Sequence, residues 1–564
     1  MTELLEHSRH TLPDTNDAPI HQRLLSIGPV TLLLVGCFAY SAFQILAGRI
    51  DIDYGDAAKY ASMALYMAND PLLAMTEQFE HISAMGNSAV FAIATIASGW
   101  LTLDIKPDTI FQLANLAASY GIALIGWFHV RRKAGDYAAL FAVALLIGNQ
   151  FFVNHSLNTY AEPIGILFVL LATCFVIKCK TETRGVIAAA CCLLIASLFR
   201  HEYFLFGWYL ALWLCLQNKL RLASIVASVS SLFYVAKRLY QSLVGSDSVD
   251  YQNWLDHPLR GTALERFFDG IGVLSETIRI DFLPLGLAIG FLLLIYLTGT
   301  ALKHRNPPPL LTVFMLCHSA VLLLLWTTGI APHVQQRYAA VVEYLFPLAI
   351  GCSLAHLNLP RRILPHHLRS YSHLALLATI VVIAGLALRI HRAEVYEVRF
   401  NRVPPAITAA RNYLETEIAQ DEKLYFGYGT RSIQLQYHCF QSGSLGNSYA
   451  YSNEGYYGLV PGSFHNSRER SEDVSELLST RHRDFAKIEP DYVILSKKSE
   501  SMAISKRKRG ANAILPFMSQ TQPNSTLHEW HPPSLEKDGR MYFNKVFENK
   551  IIVIFRRTTA PKPS

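Results

Sequence analysis

The sequence predicts an α-helical polytopic membrane protein of about 11 spans plus surface helices, followed by a C-terminal soluble α/β domain. Three observations carry this. The 564 residues are 51% hydrophobic and only 16% charged, far below the roughly 25% charge usual in soluble domains. Apolar segments approaching the ~20 residues of a membrane span recur through the first two thirds of the chain. After Arg392 the character changes, and the remaining residues read as mixed polar and apolar elements.

The apolar segments fall near 27–47, 86–103, 109–130, 137–154, 163–179, 185–199, 203–217, 222–236, 283–301, 310–330, 338–356 and 372–390. The segment 86–103, "GNSAVFAIATIASGWLTL" from Gly86, is rich in Gly, Ser, Thr and Ala. We read it as an interfacial or re-entrant helix rather than a span. Residues 1–25 are polar and 27–47 reads as an uncleaved first span, not a signal peptide. Beyond 392, "ITAARNYLETEIA" has the spacing of an amphipathic helix, and "KLYFGY", "DYVILS" and "IIVIF" read as strands.

Orientation follows from the short loops. Those at 131–133, 178–184, 218–221, 303–305 and 358–371 hold 13 Lys and Arg, whereas those at 155–162, 200–202 and 331–337 hold two. The first set is therefore expected in the cytoplasm. The expected layout is a cytoplasmic tail (1–26), a membrane domain (27–392) with long external loops at 48–108 and 237–282, and an external α/β domain (393–564). If 86–103 does span, the acidic loop before it moves to the cytoplasm instead.

Composition also excludes functions. The net charge of +7 belongs to the loops, so no nucleic-acid partner is expected. Eight of the nine cysteines lie in or beside apolar segments, leaving Cys439 alone in the polar part, which makes no disulfide framework or zinc site. P-loop, GxGxxG, HExxH and GxSxG patterns are absent, and nucleotide-driven transport and ordinary serine or zinc hydrolysis lack their signatures.

The candidate chemistry gathers at external loop edges. "DIDYGDAAKYASMALYM" (51–67) puts Asp51, Asp53 and Asp56 where the chain leaves the first span, ahead of a helix of small and aromatic residues. Carboxylates at a membrane edge are costly unless solvated, paired or used. Glu162 in "HSLNTYAEP" opens a span beside His155 and Tyr160; it suits a helix N-terminus electrostatically, or it meets Asp56 across an outer vestibule. "FRHEYF" places Arg200, His201 and Glu202 between two closely spaced apolar segments. Arg200 either pairs with Glu202 or, with His201, holds a phosphate, for which a guanidinium is well shaped. "APHVQQRYAAVVEYLFP" contributes His333, Arg337, Tyr338 and Glu343, and Arg337 stands on the side this chain otherwise keeps poor in cations. His81 precedes the 86–103 helix.

This pattern resembles the GT-C superfamily of polytopic glycosyltransferases that use polyprenyl-phosphate sugars. That group includes protein O-mannosyltransferases, aminoarabinose transferases of lipid A and the catalytic subunit of oligosaccharyltransferase. The resemblance covers roughly residues 27–390 and lies first in the layout: a first span, an acidic external loop with surface helices, a second acidic loop, and an external C-terminal domain. "GDAAKY" is similar to the first-loop motif of an Asp four positions before a Tyr, which matches Asp56 and Tyr60; Ala57 stands where many members carry Glu, and Asp53 remains a rival. "YAEP" resembles the second acidic motif at Glu162, and "RYAAVVEYLFP" the Arg-Tyr-to-Pro segment at Arg337 and Tyr338. "EHISAMGNS" resembles the segment around His81 but lacks its two prolines.

The resemblance implies an inverting glycosyltransferase moving a sugar from a polyprenyl-phosphate donor to a hydroxyl of a glycan, lipid or protein acceptor. A site facing away from the cytoplasm has no nucleotide sugars, so a lipid-linked donor fits it. Asp56 would be the base, Glu162 would orient the acceptor or a divalent metal ion, and Arg337 with Arg200 or His201 would hold the phosphate. A cofactor is not otherwise assigned. The expected location is a bacterial inner membrane with the C-terminal domain in the periplasm. Readings from other classes are a transporter or lipid-linked glycan flippase, which needs ionisable residues deep in the spans and inverted repeats, and a non-catalytic glycan-binding scaffold.

Overall fold

The computed structural model describes residues 20–47, 89–90, 93, 96, 107–160, 162–178, 183–243, 262–277, 295–296, 298–299, 308–330, 339–354, 405–419, 422–426, 434–436, 438–439, 449–452, 490–497, 518–520, 527–530 and 541–558. It is a helical bundle and a seven-stranded sheet, each with its own apolar core. The bundle helices are α1 (Ile20–Leu46), α2 (Pro107–Ala134), α3 (Asp136–Ile147), α4 (Gln150–Leu157), α5 (Glu162–Lys178), α6 (Thr183–Phe199), α7 (Leu205–Leu216), α8 (Leu220–Leu243), α9 (Ala263–Thr277), α10 (Leu310–Thr328) and α11 (Ala340–Leu354). A single 3-10 turn, His201–Phe204, joins α6 to α7.

Among the described residues, two helical stretches are long and apolar enough to cross a bilayer, Thr109–Ala134 in α2 and Leu310–Thr328 in α10; seven shorter apolar helices accompany them. The described helices thus do not establish eleven spans. The segments 283–301 and 372–390, and all but isolated residues of 86–103, lie outside the description.

Two segments differ from the expected pattern. The run 137–154 is not one helix: it breaks at Gly148, where α3 closes by hydrogen bonds of the Gly148 amide to the Ala144 carbonyl and of the Asn149 amide to the Leu146 carbonyl, and Asn149 leads into α4. The 237–282 loop, expected to be polar, holds the tail of α8 and the whole of α9.

The bundle core follows from helices that are apolar nearly all round. α5 packs on α6, α2 lies against α1, α3 and α5, and α11 fills the space between α2, α3 and α10. A run of aromatic pairs crosses it from Phe38 in α1 through Tyr120 and Phe152 toward Tyr344, the first two edge-on and the last tilted, with ring centroids 5.9, 5.8 and 5.2 Å apart. Gly165, one turn into α5, sets the closest approach. A Cβ there would stand 2.7 Å from Tyr203 Cε2 and 3.1 Å from Phe199 Cβ, so the absent side chain lets the start of α5 meet the end of α6.

In the C-terminal part, α12 (Pro405–Glu417) covers a sheet of β1 (Lys423–Phe426), β2 (Tyr449–Ser452), β3 (Tyr492–Ser496), β4 (Met518–Gln520), β5 (Leu527–Trp530), β6 (Met541–Glu548) and β7 (Ile552–Thr558). The strand order is β2-β1-β3-β7-β6-β5-β4. β1 runs parallel to β2 and β3, and the remaining pairs are antiparallel. Ile407, Ala410 and Leu414 of α12 pack on Leu424, Phe426, Ile494 and Ile554, the 3-4 spacing that "ITAARNYLETEIA" shows in the sequence.

Candidate active site

α5 begins at Glu162 with Pro163 next, a pairing of negative charge and fixed φ that suits a helix start. α6 ends at Phe199, and Arg200 follows in extended conformation before the 3-10 turn. These two ends meet in the interior. Arg200 Nε donates to Glu202 Oε1 at 2.9 Å, and its Nη1 lies 3.6 Å from Glu162 Oε1. Both Arg200 and Glu162 are buried, and Glu162 Oε2 accepts no hydrogen bond from a described residue.

A second buried pair adjoins it. His155 at the end of α4 places Nδ1 3.5 Å from Oε2 of Glu343, in the first turn of α11, and its ring meets Tyr160 edge-on at 5.1 Å. Burial alone disfavours a charged His155, but the Glu343 carboxylate outweighs it, with help from Glu162, and His155 is held above the ordinary histidine range. The two pairs thus bring three carboxylates, Glu162, Glu202 and Glu343, near Arg200 and His155.

What holds the Glu162 loop in place is α2. Asn115 Nδ2 donates to the carbonyls of Asn158 at 2.5 Å and Tyr160 at 2.9 Å, and Gln112 Nε2 donates to the Leu157 carbonyl at 3.0 Å. One turn on, Ser119 shares a hydrogen bond of 3.1 Å with the Tyr344 hydroxyl, beside Glu343. Gln112, Asn115 and Ser119 are spaced three and four apart and so lie on one face. That face registers both the loop before Glu162 and the start of α11.

Of the residues singled out in the sequence, Glu162 and Arg200 come together here, and the backbone of His201 opens the 3-10 turn next to them. Asp53, Asp56, Tyr60, His81, Arg337 and Tyr338 lie outside the described residues. The Asn115, Gln112 and Ser119 face was not anticipated. Its signal was in the sequence: "FQLANLAAS" sets three polar side chains at helical spacing inside an otherwise apolar segment. Among the described residues no three of His, Cys, Asp and Glu converge as metal ligands.

No protein-family model and no curated protein matches the chain. A solved structure does. ArnT from Cupriavidus metallidurans bound to undecaprenyl phosphate superposes with a TM-score of 0.52 at 12% identity, over 93% of this chain and 97% of that one. The two chains share a fold. ArnT in the apo state aligns over the same shares of both chains at 14% identity, with a TM-score of 0.49. The Archaeoglobus fulgidus oligosaccharyltransferase in complex with Zn and sulfate aligns over 84% of this chain and 69% of its own at 13% identity, with a TM-score of 0.47.

Proposed function

We propose that this protein is a membrane glycosyltransferase of the GT-C type. It moves a sugar from a polyprenyl-phosphate donor to an acceptor hydroxyl on the non-cytoplasmic face. The observation that supports this best is the buried meeting of Glu162 with Arg200 at 3.6 Å at the start of α5, in a chain with the fold of ArnT, a protein solved with undecaprenyl phosphate bound.

In this reading Asp56 takes the proton of the acceptor hydroxyl as its oxygen attacks the anomeric carbon, and the carbon–phosphate oxygen bond breaks with the pair leaving on the lipid phosphate. A general base of this kind contributes about 10²- to 10⁴-fold. Arg337 faces the charge that develops on the departing phosphate, in surroundings where water is scarce and the interaction is strong. Glu162 orients the acceptor. Arg200 contributes by fixing Glu162, since its guanidinium already bridges two carboxylates. Inversion at the anomeric carbon follows from a single displacement.

One observation favours a transporter or flippase instead. His318 sits midway along α10, buried against Phe206 at a ring distance of 5.2 Å, and an ionisable residue deep in a span is what transport would require. Among the described residues of the bundle, the buried Glu162, Arg200, His155 and Glu343 lie instead at helix ends and first turns, as an enzyme at the membrane surface needs. Purified protein in proteoliposomes with radiolabelled polyprenyl-phosphate sugar and a lysate of acceptor glycolipids separates the readings. Transfer of label to a new product is expected, and intact donor moved between leaflets without consumption would refute the enzyme.

A further inference from the structure

α9 presents three distinct faces. At 100° per residue, Arg266, Gly270, Val273 and Leu274 form the side turned to the bundle. Leu264, Phe268 and Ile271 adjoin that side and are 64%, 60% and 39% exposed. Glu265, Asp269 and Gly272 take the remaining arc. The helix is also self-contained at its start: the Thr262 amide donates to Glu265 Oε2 at 2.6 Å and the Glu265 amide to Thr262 Oγ1 at 3.2 Å, a reciprocal cap.

Its depth is fixed by α10. Arg266 Nη2 donates to the Thr327 carbonyl at 2.9 Å, and Nε reaches the carbonyls of Trp326 and Thr327 at 3.2 and 3.3 Å. The Thr327 carbonyl is one of the terminal carbonyls that lie beyond the helix's own ladder, and the Trp326 carbonyl also accepts from the Gly329 amide at 3.2 Å. Gly270 brings the helices together, since a Cβ there would lie 2.8 Å from Trp326 Cε3. The 19 residues of α10 rise about 28 Å at 1.5 Å each, close to the ~30 Å of a bilayer's hydrocarbon layer. α9 is therefore pinned where that layer ends. Near the same end, Leu324 and Ile330 also expose most of their surface, so the apolar stripe continues an apolar surface of α10.

We propose that α9 is an interfacial helix whose Leu264, Phe268 and Ile271 stripe is immersed in the boundary between acyl chains and head groups, in the leaflet at the C-terminal end of α10. Glu265 and Asp269 face the water. An amphipathic helix with a charged face and a Phe and Leu face is the form such immersion takes, and this one adds a hydrogen-bonded tether that sets its level. The proposal is independent of the sugar-transfer reading.

The test uses the full chain in vesicles of phosphatidylethanolamine and phosphatidylglycerol. Cysteine is placed singly at 264, 268, 271, 265, 269 and 272, and labelling by a membrane-impermeant maleimide is followed against the wild-type background. We expect labelling at 264, 268 and 271 at least about tenfold slower than at 265, 269 and 272. A separate Phe268→Trp variant keeps the position aromatic and should show added fluorescence that lipids with brominated acyl chains quench. Equal labelling rates on the two faces overturn the proposal. So does slow labelling of the stripe without quenching, which would mean a protein cover instead of lipid.

Discussion

Arg200 stands between two carboxylates, 3.6 Å from Glu162 at the start of α5 and 2.9 Å from Glu202 in the following turn. The guanidinium ties together two helix ends that are 38 positions apart in sequence. Its loss leaves the buried Glu162 and the half-buried Glu202 without that cation, whereas loss of one carboxylate leaves Arg200 a second partner.

Arg200→Ala should therefore destabilise the protein by about 3–5 kcal/mol, the usual cost of breaking a buried pair from one side. Glu162→Gln should cost clearly less. Thermal unfolding of the detergent-solubilised variants compares them, and equal shifts would mean that Arg200 has another principal partner.

Asn115→Leu removes both donors that hold the carbonyls of Asn158 and Tyr160, at about 1–3 kcal/mol for carbonyls left buried. Hydrogen exchange read by mass spectrometry should rise in the peptide covering 155–162 while α10 stays protected. Asn115→Gln keeps the amide donors on a longer arm and should restore part of the protection. Unchanged exchange in the leucine variant would show that the loop is held by other means.

His155 titrates above its ordinary value because Glu343 faces it. Its folded-state pKa exceeds the unfolded value near 6.5, so its stabilisation is complete below that pH and fades as the pH rises through the higher folded value. Melting temperatures of the wild type should fall as the pH is raised from about 6 toward 9. The double variant His155→Gln, Glu343→Gln should flatten that dependence, and an unaltered profile would show that the pair does not carry it.

The Glu162 and Arg200 positions stood out in the sequence, and the reasons are specific. Glu162 showed because a carboxylate opening an apolar run is exceptional, and Arg200 because a charged triplet between two apolar segments must lie at their junction. Their pairing was not legible, since Glu202 is the nearer partner in sequence and only the Gly165 approach brings α5 to the end of α6. The break at Gly148 was hidden for a related reason: an apolar run of span length is read as one helix unless its glycine is taken as a stop. α9 was read as part of a polar loop. Its residues "ALERFFDGIGVL" do carry 3-4 spacing, but they divide it among three environments.

Asp56→Asn should lower sugar transfer by about 10²- to 10⁴-fold if Asp56 is the general base, with insertion and melting temperature unchanged. Rates with labelled donor check this, and full activity would move the role to another group such as Asp53.

The proposed active site requires that the acidic loop after α1 meet water on the non-cytoplasmic side. A topology reporter fused near residue 70, with a second at the C-terminus, measures this directly. Both are predicted on the non-cytoplasmic side, so that Asp53 and Asp56 share a face with the Glu162 end of α5. A reporter at residue 70 that reads as cytoplasmic would part the base from the rest of the site and contradict the proposed enzyme.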